Sequence, residues 1–483
     1  MRRFLNISVL VAALVLTASC NESESVYAGK IDTPIYPDYM NVTIPCNIAP
    51  LNFDYTVDGA GKCVTTFTWD GGSQTFKGNK IRWNMRKWRR MLSEATGGDI
   101  EVTSSVLDTA WTIHVSADSI DYGLNYRLIE PGYEVYSKMG IYERCLSNFD
   151  ERPLIENTQF NGCVNCHSYN RGNPDDFSLH IRGDHGATLI RKNGVMDAYN
   201  TKTDQTLGFC VYPYWHPSGR YIVYSTNATR QGFHVDRDKL IEVFDSASDL
   251  QVYDTQTNEL ITAPSVKVDS LWETFPSFSP DGRTIYFCRA TQKAIPDGLK
   301  NVRYSLCSVD FNPETGEIGE SVTVLYDAAS EGRSVSFPRP SYDGRFLMYT
   351  LSDYGQFSIW HHEADLWLLD LETGERRCLD AVNSPDTESY HNFSSTSRWF
   401  VFASRRDDGL FTRPYFSHIS QDGNVTKPFM LPQEDPMVFY HSRFLSFNVA
   451  EFVTDPVKFN KIKARKLINS DKRKDFGFRR TTF

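Results

Sequence analysis

Four signatures that would assign an activity are missing from this 483-residue chain. There is no Gly-x-Ser-x-Gly segment, which excludes a serine hydrolase built on a nucleophile elbow. Neither a Gly-rich phosphate loop nor a His-Glu-x-x-His occurs, so no nucleotide cradle or zincin-type metal site is encoded. The Cys-x-x-Cys at Cys163 has no second copy to complete a zinc ribbon. Long apolar runs are lacking after the N-terminus, and no later segment could span a bilayer as a helix. Positive charge is scarce outside one place. Residues 455–483 hold ten Lys/Arg against three Asp/Glu, a net of +7, which leaves −16 on the rest of a chain of net −9. An acidic body argues against nucleic acid as partner. The basic tail, 454–483, reads as a solvated or docking extension.

What is present centres on Cys163-Val164-Asn165-Cys166-His167. Cys-x-x-Cys-His is the spacing that attaches a c-type haem, with two thioethers to the vinyl carbons and the next imidazole under the iron. Cys163 and Cys166 are then cofactor-binding and His167 is the proximal iron ligand. The competing readings are a disulfide between the two cysteines or half of a zinc site. A second axial ligand is sought downstream among His180, His185, Met196, His216 and His234. His180, flanked by Leu179 and Ile181 on a strand-like run, ranks first, and Met196 would raise the potential relative to His. The plain alternative for His180 is a hydrogen-bonded core histidine. His216 stands where related segments carry Ser279 and Ser341, which favours a turn role.

The N-terminus has the form of an export leader. Arg2 and Arg3 precede the short apolar core Val9 to Val15, and Thr17-Ala18-Ser19 supplies small residues before Cys20. This resembles a bacterial lipoprotein signal over 1–19, with Cys20 lipidated and 20–35 an acidic tether. Lipid would then be the only membrane attachment, at the outer membrane of the cell envelope. An ordinary cleaved signal with an incidental cysteine is the alternative. Seven further cysteines remain, with Cys46–Cys63 and Cys288–Cys307 as plausible pairs by proximity in sequence.

Aromatic content of 13% and many Gly, Pro and Asp turn signals indicate a mainly β protein. Residues 36–122 read as a small β-rich domain with one helix, Trp83 to Ser93, whose tryptophans are core. Residues 123–204 are a bridge carrying the Cys-x-x-Cys-His loop, with room for a first blade. Then comes a repeat. Pro213 to Arg220, Pro276 to Arg283 and Pro338 to Arg345 each lead into an apolar strand, and a degenerate copy runs from His391 to Arg398. Repeats of this length, each a tight turn between strands, are the mark of propeller blades, which must pack around an axis to bury their faces.

The Pro-x-aromatic-Ser/His-Pro-Asp/Ser-Gly-Arg pattern resembles the TolB-like, PD40 (WD40-like) propeller family over about 205–450. That resemblance implies a six- to seven-bladed propeller, 205–453, and no particular reaction. The leader, the Cys-x-x-Cys-His and the blades together resemble Bacteroidetes-type TolB-like lipoproteins, sometimes labelled cytochrome c-related. The expected function is a lipid-anchored propeller carrying one covalent haem c for electron transfer or redox sensing, with a redox or protein partner on its face. A propeller binding module for protein or glycan, with a structural Cys163–Cys166 disulfide, is the alternative. A propeller lyase or hydrolase comes third, with no catalytic residues assigned.

Overall fold

The computed structural model describes residues 33–131, 138–160, 162–234, 239–470 and 472–479. The leader, Cys20 and the tether up to residue 32 lie outside the described residues. Six sheets dominate the chain, each with four antiparallel strands and two of them extended by a fifth, parallel strand. Their innermost strands are Ser446–Val453, Cys163–Asn170, Cys210–Trp215, Leu271–Phe278, Ser334–Pro340 and Glu388–Phe393, for blades one to six. Each innermost strand packs beside the next, and the sixth returns to the first. The chain is a six-bladed β-propeller.

Blade one joins the two ends of the ring. Its inner strand, Ser446–Val453, pairs antiparallel with Gly123–Ile129, which continues to Gly140–Cys145 and Glu151–Glu156. The segment read as a bridge with room for a first blade therefore holds three strands of blade one and four of blade two, and the propeller begins at 123, not 205. The reason is physical: a ring of sheets has no free inner edge only if the last strand completes the first sheet.

The repeats read from the sequence are the turns after the innermost strands. Gly219, Gly282 and Gly344 have φ of 69°, 73° and 78°, and Ser397 has 59° in the degenerate copy. The serine of the motif accepts the N–H five residues on: Thr284 to Ser279 Oγ and Phe346 to Ser341 Oγ, both 3.0 Å. The aspartate accepts the arginine N–H, as in Arg283 to Asp281 Oδ1 at 3.0 Å. The arginine side chain ties the second strand to the third, Arg220 to Asp254 at 2.8 Å and Arg345 to Asp370 at 2.7 Å.

The N-terminal domain holds a five-stranded sheet, a small three-stranded sheet and the helix Met85–Ala95. Asn84 Oδ1 caps the helix by accepting Arg86 and Lys87 N–H. Trp83 and Trp88 are buried in its core. The domain docks on blade six, with Trp399 Nε1–H donating to Asp118 O at 3.1 Å and Tyr39 O–H to Met430 O at 3.2 Å. The basic tail is not a solvated extension. After the helix Lys461–Ile468, Lys474–Asp475 pairs with the outer strand of blade two and Gly477–Phe478 with that of blade three. Phe476 stacks on Tyr253 at 3.9 Å. The tail thus covers two exposed sheet edges.

Blade three departs from its neighbours. Its middle strands, Tyr221–Phe233 and Ile241–Asp254, run 13 and 14 residues and project beyond the sheet. The projection is pinned to blade five: Gln356 Nε2–H donates to Asp245 at 2.6 Å, and His361 Nε2 lies 3.3 Å from Glu242. Among the described residues no helix is long and apolar enough to cross a membrane.

Candidate functional site

Every innermost strand breaks register at the same place. The ladder skips between Val164 and His167, Val211 and Tyr214, Thr274 and Ser277, Ser336 and Arg339, Ser389 and Asn392, and Asn448 and Glu451. At each, two inner residues face one residue of the next strand, which is a β-bulge. The bulge pairs are Asn165-Cys166, Tyr212-Pro213, Phe275-Pro276, Phe337-Pro338, Tyr390-His391 and Val449-Ala450. Proline suits the second position because its missing N–H has no ladder partner there. Cys-Val-Asn-Cys-His is therefore blade two's version of the bulge and not a loop: Cys166 stands where three blades carry proline.

The first bulge residue points toward the axis. Tyr212, Phe275, Phe337 and Tyr390 take φ of 50–54° and meet in sequence, with ring centroids 4.5, 4.1 and 4.9 Å apart. Four blades thus contribute an aromatic collar to the channel. Blades one and two contribute Val449 and Asn165 instead, and the collar is open on that side.

A cavity of about 250 Å³ lies against this opening. Its aromatic wall includes Tyr212, Phe337 and Tyr390, and the projecting hairpin adds Gln231, Phe233 and Val243. Its polar wall includes Arg127, Cys163, Asn165, Cys166 and Arg182. Arg127 Nη1–H donates to Asn165 Oδ1 at 2.8 Å, and Asn165 Nδ2–H to Cys163 Sγ at 3.3 Å. The Cys163 thiol reaches Met139 Sδ at 3.3 Å. Burial pushes that thiol up, and the Arg127 and Arg182 guanidiniums pull against it. His167 is 4% exposed, its Nε2 is 3.3 Å from Asn125 O, and burial lowers the imidazole to about 4. The residue at the same place in blade one is Glu451. Burial pushes its carboxyl up to about 8, and it accepts Tyr169 N–H at 2.9 Å.

No protein-family model matches the chain, and no curated protein matches it. Similar solved structures include TolB from Acinetobacter baumannii, 12% identical, covering 73% of this chain and 86% of that one with a TM-score of 0.41. A putative TolB from Agrobacterium tumefaciens is 14% identical over 70% of this chain and all of that one, with a TM-score of 0.37. A hypothetical selenium-binding protein from Sulfolobus tokodaii is 8% identical over 71% and 96%, with a TM-score of 0.44. At these levels they carry no argument about function, and the blade count rests on the sheet order.

The distal candidates do not reach the cavity. His180 lies opposite the bulge, at a place held by Tyr126, Tyr224, Phe287, Tyr349 and Phe402 in the other blades. It is a blade-core residue, 1% exposed, with Nδ1 3.0 Å from Thr188 Oγ1. Met196 is buried in the core of blade two. His216 bridges two turns, with Nδ1 accepting Ser218 N–H at 3.1 Å and Nε2–H donating to Gly282 O at 3.1 Å. His361 pairs with Glu242 and Glu363, and His362 with Asp386. Among the described residues no three His, Cys, Asp or Glu converge as metal ligands. All nine described cysteines are free thiols. Cys288 and Cys307 are offset by one residue across the ladder, Cys288 facing Leu306, so their side chains point to opposite faces of the sheet.

A covalent haem does not fit this arrangement. Cys163 and Cys166 flank the first residue of the bulge on blade two's inner strand, with Cys163 buried and Cys166 half-buried. His167 has Nε2, the nitrogen that would meet iron, turned to a backbone carbonyl in a closed environment. The cavity itself, about 250 Å³, is below the usual range of about 300–1,000 Å³ for ligand pockets. The sequence reading missed His391, Arg127, Arg182 and Glu451, which line the same cavity. His391 was legible, because it stands in the proline column of the repeat.

Proposed function

We propose that the chain is an envelope-anchored propeller binding module whose site is the central cavity beside the open collar, with Cys163 and Cys166 as wall residues and not haem attachment points. The observation that carries this is the replacement of the collar aromatic by Asn165 and of the bulge proline by Cys166 in one blade. Together with Val449-Ala450 in blade one, this change leaves the axis as a lined cavity on one side of the collar. The leader and Cys20 support an envelope location, and a lipid on Cys20 would tether the propeller to its membrane. The pocket combines apolar rings with a few convergent polar groups, the usual make-up of a small-molecule site.

The test uses Cys166 as a chemical cork. It is more exposed than buried Cys163, so a bulky methanethiosulfonate reagent should label it in the folded protein. Saturation-transfer NMR with a mixed set of neutral and charged fragments should give binders that the label displaces, and Cys166→Ser should bind them unaffected by reagent. Fragment binding indifferent to the label, or no binder at all, would remove the cavity as the site.

A further inference from the structure

Three guanidiniums from three blades meet at this one cavity: Arg127 from the second strand of blade one, Arg182 from the end of the second strand of blade two, and Arg339 from the innermost strand of blade five. None makes an ion pair among the described residues. Arg127 donates to the neutral Asn165 amide. Arg339 donates to its neighbour's carbonyl, Pro338 O, at 3.1 Å, and lies over the Tyr214 ring at 5.3 Å. Arg182 has only electrostatic neighbours. One is Asp245, whose oxygens already accept Asn227, Thr229 and Gln356.

The carboxyls at hand do not restore balance. Glu451, with its carboxyl near 8, is mostly protonated at neutral pH. Glu130 lies at the rim and is a single charge. Arg405 lines the cavity too, but it is paired with Asp386 at 3.1 Å. Gathering like charges at a partly desolvated site is costly unless a counter-charge arrives, and guanidinium forks match carboxylates in geometry. This happens in a protein whose net charge is −9, so it is a local arrangement and not a general basic surface. The same cavity is lined by Tyr212, Phe337 and Tyr390, which suit a flat or apolar body.

We infer that the cavity takes a small organic dianion, with carboxylates toward Arg127, Arg182 and Arg339 and a planar body against the aromatic collar. This rests on the cavity being the binding site and adds the ligand's chemical class. The probes are isophthalate and its neutral diamide, isophthalamide, titrated calorimetrically into the full chain at low and at 300 mM salt. Isophthalate should bind at least tenfold more tightly than isophthalamide and should weaken as salt rises. Arg127→Gln and Arg182→Gln should each weaken it at least tenfold, and Arg182→Lys should recover part of that loss. Arg182 is exposed, so its variants should fold, and circular dichroism checks this. Equal binding of the two probes, isophthalate binding unchanged in both Gln variants, or no isophthalate binding would each overturn the dianion. Label-displaceable neutral fragments under those same outcomes would leave the binding module standing, which separates the two failures.

Discussion

Blades four and two use one backbone device with opposite results. In blade four the bulge is Phe275-Pro276, and its ring packs between Tyr212 and Phe337 at 4.5 and 4.1 Å. In blade two the bulge is Asn165-Cys166. Its amide points to Arg127 and Cys163, and no ring crosses the axis from that side. The same contrast appears one residue away on the neighbouring strand. Phe287 fills the core of blade four, and His180 fills that of blade two with its imidazole against Thr188. One blade closes the channel and the other lines a cavity: the bulge keeps its place in the ladder, but the positive φ of Phe275 has no counterpart at Asn165. A change of residue at two columns of a repeat, with the local backbone change that goes with it, turns a structural position into a site.

The collar should be the most sensitive place to break. Phe337→Ala removes a 5% exposed ring that touches both Phe275 and Tyr390. It should cost about 3–5 kcal/mol in denaturant unfolding. Asn165→Ala, the matching change in blade two, should cost less, about 1–2 kcal/mol, because two hydrogen bonds are lost, one of them to a weak sulfur acceptor, and no apolar packing goes with them. Equal losses would mean the two bulges carry the same load.

The turn glycines sharpen the comparison at the next scale. Gly282 and Gly374 both have positive φ, 73° and 75°. A Cβ on Gly282 would overlap the His216 imidazole, whereas at Gly374 nothing lies within 4 Å. Gly374→Val should show only the backbone strain, about 1–3 kcal/mol, and Gly282→Val should exceed it in the same melting experiment.

Blade one tests the buried carboxyl. Glu451 has a folded value near 8, well above that of an unfolded glutamate, about 4.3. Below the unfolded value both states hold the proton and nothing is lost. As pH rises toward 8 the unfolded chain ionises first, so stability falls, and above 8 the loss levels off. Glu451→Gln keeps an acceptor for Tyr169 N–H and should flatten that decline, with the gain over wild type largest near pH 8. A gain independent of pH would show that the carboxyl is not held protonated.

The smallest effect at neutral pH should come from repairing blade two toward its neighbours. His180 is held neutral by burial, with its value lowered to about 3. Its stabilising share is therefore present above pH 6.5 and lost as pH falls toward 3. His180→Phe should leave neutral stability nearly unchanged and remove part of the acid sensitivity. A large loss at pH 7 would give His180 a role beyond core packing.

Much of this fold could be read from the chain, because its turns repeat a Gly at positive φ with fixed Ser, Asp and Arg partners. The propeller and its turns followed from those residues. Blade one did not, since its inner strand starts 323 residues after its neighbour does, Ser446 against Gly123, and pairing at that distance leaves no local mark. The motif at Cys163 was visible but its setting was not. Cys-x-x-Cys-His specifies spacing along the chain, while its setting, an inner strand with a bulge inside the motif, is set by pairing with Asn173–Arg182. Aligning Cys166 with Pro213, Pro276 and Pro338 was possible from the sequence alone. That column would have placed the motif on an inner strand.

The central claim is that Cys163 and Cys166 are free wall residues of a ligand cavity. The most direct measurement takes protein made in a host with a haem c maturation system, records its absorption spectrum, and alkylates it without reductant before mass analysis. The account predicts no Soret band and, by peptide mapping, rapid iodoacetamide labelling of half-buried Cys166 alongside Cys46 and Cys378, with buried Cys163 modified only after unfolding. A covalent haem that survives denaturation and leaves neither cysteine alkylatable would contradict it.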